Sequence, residues 1–280
     1  MPVLADVRSA RRASDVVARY RPDVVFHAAA YKQLPLVEAH PVEGVATNVL
    51  ATQHMVDAAR SLGVGHFVLF STDKAVQPTS ILGQTKAVAE WIVATAAGEE
   101  PDKSYSSIRL GNVVDSAGSI LPLFRRQIAR GGPVTVTDPL TTRYLMTSAE
   151  AAGLAIVAGD LGDSGGVFWL DLDPPVRVLE LARRLVGAAS ADIGIDFVGL
   201  RPGERLHEQL CSKSDEILAT SCERVFRSTT PWVDPVWLRA WLAILRRHVD
   251  RASAAGVRGA LAEMHGTPEW ELAASGAGVA

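Results

Sequence analysis

Residues 67–86, FVLFSTDKAVQPTSILGQTK, decide the fold class because an apolar run ends in polar residues and is followed by a helical segment. Residues 67–71 are the kind of short apolar run that forms a buried strand in a parallel sheet. Thr72, Asp73 and Lys74 follow at once, and Lys86 lies twelve residues after Lys74, at the start of the helical segment. Ligands of open α/β sheets bind outside the carboxyl ends of the strands. This stretch therefore predicts a strand that ends at an active site.

Apolar runs with intervening helices lie on both sides of this stretch. Residues 23–30 and 107–110 are predicted strands, and apolar residues recur at helical spacing over 42–59 and 83–97. Gly63 follows the first of these helices, as a C-terminal cap does. Strands that alternate with helices predict an α/β fold, here a doubly wound parallel sheet.

The elements after residue 112 are shorter. The predicted helices cover 120–130, 148–159 and 178–186, and the predicted strands cover 134–137, 167–172 and 195–200. Ser148 is expected to be the N-cap of the helix that begins there, since a serine hydroxyl accepts a hydrogen bond from the first helical turn.

Composition excludes several classes of partner. A formal net charge of -3 and a pI near 6.2 give no reason to expect nucleic acid or an acidic membrane surface. Cys211 and Cys222 lack the spacing of a metal site, and His207 and Glu208 have no second histidine at helical spacing, so no metal is expected. We interpret His207 and Glu208 as structural. No apolar run has the length of a spanning helix, which predicts a cytoplasmic protein with no membrane segment in this chain.

The adjacent Asp73 and Lys74 have two interpretations. At the buried end of a strand, desolvation and mutual charge would move both pKa values toward a working range, so that one group donates a proton and the other accepts one. The alternative is a solvated ion pair in a loop. Residues 28–30 also have two interpretations, because consecutive alanines allow a ligand close to the backbone but also pack well in a core.

Five motifs in consistent order make the resemblance to a family specific. The chain resembles the nucleotide-sugar 4,6-dehydratases of bacterial polysaccharide biosynthesis, a branch of the extended short-chain dehydrogenase/reductases, over about residues 3–230. The motifs are HAAAYKQLPLVE (27–38), TNV (47–49), STDKAVQPT (71–79), RLGNV (109–113) and RPGE (201–204).

The resemblance implies a reaction. Members of this family remove water from UDP-N-acetylglucosamine and form a 4-keto-6-deoxy sugar, with transient oxidation at C4 by a tightly held NAD or NADP. The resemblance also implies that Lys74 is the base at C5, that Asp73 is the acid at C6 and that Thr72 hydrogen-bonds near O4. Lys86 would contact the nicotinamide ribose. Leu82 occupies the position of the tyrosine in the Tyr-x-x-x-Lys pattern of short-chain dehydrogenases, so no phenolic base is expected there.

The resemblance also implies binding residues and a division of the chain. The expected cofactor contacts are Asp6, Val7, Ala28, Ala29, Ala30, Asn48 and Lys86. The expected contacts of the UDP-sugar are Lys32, Asn112, Ser116, Arg143, Arg201 and Glu204. We assign 1–172 to an NAD(P)-binding Rossmann-like core whose loop region 113–147 adds to the substrate site, 173–265 to a smaller C-terminal sugar-nucleotide lobe, and 266–280 to a flexible tail.

One motif of the resemblance is not found in the sequence. Dinucleotide-binding domains place G-x-G-x-x-G after their first strand, and neither 131–132 nor 162–166 has that spacing and context. We therefore expect an N-terminally truncated sheet that lacks its first strands. Three hypotheses follow: a family dehydratase, an inactive remnant that at most binds a UDP-sugar, and a subunit completed by a separate N-terminal polypeptide. Self-association into a homo-oligomer is a further expectation from the family.

Overall fold

The computed structural model describes residues 1–162, 164–189, 193–229 and 232–266. The strands are β1 (Val24–His27), β2 (His66–Thr72), β3 (Ser104–Leu110), β4 (Asn112–Val113), β5 (Val134–Val136), β6 (Thr142–Arg143), β7 (Leu145–Met146), β8 (Gly166–Leu170), β9 (Val176–Arg177), β10 (Ile195–Phe197), β11 (Ile217–Ala219) and β12 (Val225–Thr229). The helices are α1 (Ala10–Tyr20), α2 (Leu34–Ala39), α3 (Pro41–Val45), α4 (Ala51–Ser61), α5 (Ile81–Glu99), α6 (Ile120–Ala129), α7 (Ser148–Asp160), α8 (Val178–Ala188), α9 (Pro235–Asp250) and α10 (Ala254–Gly266).

The main sheet confirms the predicted α/β class. Its strand order in the described residues is β1-β2-β3-β8-β12-β11, in which the first four strands are parallel and the last two pair antiparallel. His27 pairs with Leu69, and Thr72 at the end of β2 pairs with Leu110 of β3. The carboxyl ends of three parallel strands therefore meet at one edge of the sheet.

Helices cover both faces of this sheet, as a doubly wound fold requires. Helices α1, α4 and α5 pack on one face around buried residues such as Phe67 and Val88, while α7 covers the other face through Leu154 against Val68 and Ile108. Helices α3 and α4 are joined by a π-helical turn, Ala46–Leu50. The core thus forms on both sides of β2, the strand that ends at Thr72.

Several elements of the segment 173–265 pack with the main sheet and its helices. Strands β11 and β12 complete the main sheet, and α9 and α10 pack on α5, where Trp91 contacts Trp237 with ring centroids 6.0 Å apart. A second, smaller core instead lies between α6, β5 and α8, which bury Phe124, Val134 and Ala182. Apolar faces from late in the chain therefore cover the central helices, and the division at 172 stays a prediction. Apart from Gly266, the predicted tail lies outside the described residues.

Two helices begin elsewhere than the sequence predicts. Helix α5 starts at Ile81, because the Ser80 hydroxyl accepts from the Gly83 N–H as N-cap. The N-cap of α7 is Thr147 and not Ser148, because Thr147 and Glu150 form a reciprocal capping box. A glutamate three residues after a threonine thus decides the boundary.

Strand β1 lies at an edge of the main sheet in the described part of the chain, and Phe26 on it is 48% exposed. Among the described residues, no helix combines the length and apolarity needed to cross a membrane.

Candidate active site

The candidate site begins where β2 ends. Thr72 is followed by a 3₁₀ turn, Asp73–Ala75, and the Thr72 hydroxyl caps this turn by accepting from the Lys74 N–H. Helix α5 then packs so closely on this turn that a Cβ at Gly83 would collide with the Lys74 carbonyl oxygen. A glycine on the first turn of α5 therefore allows the helix to approach the Asp73–Lys74 pair.

Lys74 contacts two carboxylates. Its Nζ lies 2.9 Å from Asp73 Oδ1 and 3.5 Å from Glu208 Oε1. Burial alone would lower the pKa of Lys74, but the charges of Asp73 and Glu208 outweigh it and raise the pKa. Thr72 donates its hydroxyl to Asp73 Oδ1 at 2.9 Å. The tertiary structure therefore brings together Thr72, Asp73 and Lys74, which the sequence predicted, with Glu208, which it did not.

Glu208, which we interpret as structural from the sequence, lies close to Lys74. Its side chain is 2% exposed and belongs to the segment that follows the RPGE motif, four residues after Glu204. Proximity to that motif was the only feature of the sequence that could have singled it out. Asp73 Oδ2 and Glu208 Oε2 are buried and have no hydrogen-bond partner among the described residues.

Lys86 lies on α5 and is 5% exposed. Burial lowers its pKa to about 8, and its ammonium forms no hydrogen bond or ion pair with the described residues. His27, at the end of β1, bonds Thr52 through Nε2 at 3.0 Å, and burial followed by the charge of Lys86 lowers its pKa to about 4. Lys86 is therefore a buried cation with donors available for a ligand.

Asn48 fixes the loop that follows β1. Its Oδ1 accepts from the Tyr31 N–H at 2.8 Å, and its Nδ2 donates to the Tyr31 carbonyl at 3.0 Å and to Thr85 Oγ1 at 3.1 Å. Ala28 and Ala29 are exposed and Ala30 is half-buried, so the three alanines leave the backbone accessible at the edge of the sheet. The structure thus places Asn48 behind this loop, with its amide occupied by protein groups.

Leu82 is 4% exposed and belongs to the main hydrophobic core. An apolar side chain therefore occupies the position one helical turn before Lys86.

The predicted substrate residues differ in their surroundings. Arg143 is 8% exposed and donates to the carbonyls of Thr142, Leu206 and Arg205 at 2.7, 3.1 and 3.0 Å. These bonds tie β6 to the segment that leads to Glu208. Arg143 therefore adds positive charge beside Lys74 while its hydrogen bonds hold the main chain.

Arg201 and Glu204 pair within their own loop. The Glu204 carboxylate accepts from the Arg201 N–H at 2.9 Å and from Nε at 3.0 Å. Burial would raise the pKa of Glu204, but the hydrogen bonds from Arg201 lower it. The Arg201 side chain is 53% exposed, so its remaining surface is open to a ligand.

The remaining predicted residues lie at the rim or in loops. Lys32 is exposed. Asn112 is half-buried on β4, where its N–H donates to the Tyr144 carbonyl at 2.8 Å, and the Ser116 hydroxyl donates to the Val113 carbonyl at 2.8 Å. Asp6 is bound by its neighbour Arg8, which lowers the pKa of the Asp6 carboxyl.

Comparison with known proteins shows a family likeness over most of the chain. Residues 1–230 match the family model described as polysaccharide biosynthesis protein. The capsular polysaccharide biosynthesis protein CapD of Staphylococcus aureus is 42% identical over 230 residues, which are 81% of this chain and 38% of that protein. UDP-glucose 4-epimerase of Rickettsia canadensis is 36% identical over 214 residues, 76% of this chain and 62% of that protein. The chain therefore spans less than two thirds of the length of these relatives.

Solved structures share the fold. Pen from Bacillus thuringiensis superposes with a TM-score of 0.77 at 31% identity, covering 82% of this chain and 72% of that one. A dTDP-glucose 4,6-dehydratase from Streptomyces venezuelae, solved with NAD, has a TM-score of 0.66 at 21% identity and covers 74% of this chain and 69% of that one. At that identity the second likeness concerns the Rossmann-like fold alone.

Proposed function

Because the chain belongs to the polysaccharide biosynthesis protein family, we propose that it is a nucleotide-sugar 4,6-dehydratase-like protein acting on UDP-N-acetylglucosamine. Its relatives and structural neighbours include nucleotide-sugar epimerases and dehydratases. The observation that supports dehydration is the contact of Lys74 with the adjacent, buried Asp73 at the carboxyl end of β2. Removal of water across C5 and C6 needs a base for one carbon and an acid for the other.

The residues around the carboxyl ends of β1 and β2 fit the nicotinamide side of NAD or NADP. Lys86 has ammonium donors available for ribose hydroxyls, and Ala28, Ala29 and Ala30 leave the backbone accessible. Asp6 and Val7 are the proposed contacts of the adenine side. When bound, the cofactor supplies a hydride acceptor for C4 and a hydride donor for C6.

The side chains of the chain supply proton transfer. Thr72 orients O4, Lys74 as neutral amine removes the proton from C5, and protonated Asp73 gives a proton to the C6 hydroxyl, which leaves as water. Thr72 already donates to Asp73, so it can hold that carboxyl in one orientation. Since Leu82 is apolar and buried, the C4 hydroxyl proton goes to Asp73 rather than to a phenolate.

Exposed groups are the better candidates for direct contact with the UDP diphosphate. Arg201 and Lys32 are exposed, and their donors can reach an oxyanion. Arg143 acts through its charge, because its guanidinium donates to three carbonyls. Glu204 would accept from the ribose hydroxyls, and Asn112 and Ser116 would line the sugar.

A second candidate is 4-epimerisation, which the curated epimerases that match the chain favour. Epimerisation removes the hydride from C4 and the proton from O4 and then returns both, with no acid at C6. An inactive remnant and a subunit completed by an N-terminal polypeptide remain the non-enzyme and partner proposals. The four proposals predict different results in one experiment, which therefore separates them.

The test is incubation of the chain with UDP-N-acetylglucosamine and NAD, with and without a separate polypeptide that carries G-x-G-x-x-G. A product lighter by one water, with a 4-keto group by NMR and lost in Lys74→Ala, is expected. A C4 epimer of unchanged mass contradicts dehydration and supports the second candidate. Product only with the added polypeptide supports the completed subunit, and no product in either condition supports the remnant.

A further inference from the structure

Glu208 reaches the catalytic pair from a distant part of the chain. It lies between β10 and β11, and its Oε1 is 3.5 Å from Lys74 Nζ, while Asp73 Oδ1 is 2.9 Å from the same atom. The side chains of Asp73 and Glu208 are 1% and 2% exposed. The Lys74 ammonium is therefore the shared partner of two carboxylates that are almost inaccessible to solvent.

Each of these carboxylates has an oxygen with no donor. Asp73 Oδ2 and Glu208 Oε2 lack a hydrogen-bond partner in the described part of the chain. A buried carboxylate oxygen without a donor costs free energy, and protonation or a ligand donor relieves that cost. Both groups are therefore suited to hold a proton for part of a reaction cycle.

The proposed reaction needs three groups that can each hold a proton. The C4 hydroxyl and C5 each release a proton before the C6 hydroxyl takes one and leaves as water, and C5 recovers the other at the end. Asp73 holds the proton meant for C6. Lys74 can accept the C5 proton only after its own ammonium proton has moved to a neighbour. Because Leu82 offers no phenolate, that neighbour must be another group.

We propose that Glu208 is a positioning residue that takes a proton from the Lys74 ammonium before C5 is deprotonated and returns it after C5 is reprotonated, an inference that rests on the proposed function. The transfer breaks one N–H bond and forms one O–H bond at Glu208, leaving neutral Lys74. Lys74 then takes the C5 proton and later gives it back. The ammonium of Lys74 is finally restored by Glu208, so the cycle balances.

The groups that face Lys74 are consistent with this route. They are Asp73 on the 3₁₀ turn, Glu208, and Arg143 on β6. The two carboxylates outweigh burial and Arg143 and raise the pKa of Lys74, so that in the resting protein the lysine is charged. Arg143 also donates to the carbonyls of Arg205 and Leu206, which sets the place of Glu208 through the main chain.

The first test uses the resting protein and needs no turnover. The pH dependence of Lys74 acetylation, followed by mass spectrometry, is compared between wild type, Glu208→Gln and Glu208→Asp, with Glu223→Gln as an exposed control. Glu208→Gln removes one carboxylate from Lys74, so half-maximal labelling moves to lower pH. Glu208→Asp and the control are expected to stay nearer to wild type. The same profile in wild type and in Glu208→Gln overturns the proposal.

The second test measures turnover of the same variants. Glu208→Gln is expected to lower kcat about 100-fold, in the range of general acid–base effects, with KM changed less than about twofold. Glu208→Asp keeps a carboxyl and is expected to recover part of kcat. If Glu208→Gln unfolds the chain, Glu208→Asp is the folded variant on which the proposal is tested. An unchanged kcat in Glu208→Gln contradicts the proton route. If Glu208→Gln shows the labelling shift but wild type makes no 4-keto product, the dehydratase assignment fails, and the route fails with it.

Discussion

Arg109 on β3 and Glu90 on α5 form a buried ion pair with two contacts, Nε to Oε1 at 3.1 Å and Nη2 to Oε2 at 2.8 Å. Ser71 on β2 donates to the same carboxylate, and Arg109 Nη1 lies 3.4 Å from Asp215 Oδ2. The side chains of Arg109 and Glu90 are 7% and 3% exposed. One arginine thereby links the central strands, the helix that carries Lys86 and a segment from late in the chain.

Breaking this pair is expected to destabilise the fold strongly. Glu90→Gln takes the nearer carboxylate from the buried Arg109 and leaves it the longer contact with Asp215. Removing one partner of a buried ion pair costs about 3–5 kcal/mol in comparable sites. Urea unfolding followed by circular dichroism measures the loss. The control is Glu99→Gln, because its Arg60 pair is 29–30% exposed and such pairs contribute about 1 kcal/mol or less. Equal losses in the two variants would contradict the structural role of the Arg109 pair.

Lys86 is expected to destabilise the resting protein at neutral pH. Burial lowers its pKa from 10.5 to about 8, so between those values the unfolded chain binds more protons and stability rises with pH. At about 1.4 kcal/mol per pKa unit, the cost of its charge below pH 8 is roughly 3 kcal/mol. Lys86→Met should therefore raise Tm at pH 7 while losing the proposed cofactor contact. Scanning calorimetry from pH 6 to 10.5 should show that the difference in Tm between Lys86→Met and wild type shrinks as the pH rises. A constant difference would mean that the charge of Lys86 is not its cause.

His265 is expected to make the fold sensitive to acid. Its Nε2 lies 3.1 Å from the Gln84 carbonyl, its ring lies 4.8 Å from that of Trp91, and burial lowers its pKa from 6.5 to about 4. The unfolded chain takes up a proton near pH 6.5 and the folded chain only near pH 4, so stability falls as pH drops between them. His265→Gln removes this titration. The free energy of unfolding in urea should fall less between pH 7 and pH 4.5 in the variant than in wild type. An equal fall in both proteins would contradict the assignment.

Gly203 allows the RPGE loop to approach α5. Its φ is +79°, and a Cβ there would lie 2.7 Å from Ser80 Cβ and 2.8 Å from Glu38 Oε1. Gly203→Ala should weaken UDP-sugar binding and lower Tm. Gly199→Ala is the matched control, because Gly199 has the same φ of +79° but no atom within 4 Å of a Cβ. Calorimetry should show a larger fall for Gly203→Ala, since only that variant adds a collision to the backbone strain.

The sequence predicted the central strands well because residues 23–30, 67–71 and 107–110 are short apolar runs with helical spacing between them. Those patterns are local, so a single sequence shows them. The boundary of α7 was missed, because a capping box at Thr147 competes with the serine beside it. The packing of α9 and α10 on α5 could not be predicted, because nothing local in the sequence indicates it.

The sequence by itself determined the α/β class and the placement of Thr72, Asp73 and Lys74 at the end of a strand, since both follow from the order of apolar and polar residues. Tertiary structure alone decided that Glu208 contacts Lys74 and that Arg109 pairs with Glu90. The physical reason is that such contacts join residues far apart in the chain. They depend on how strands pair and helices pack, and no local pattern of residues encodes them.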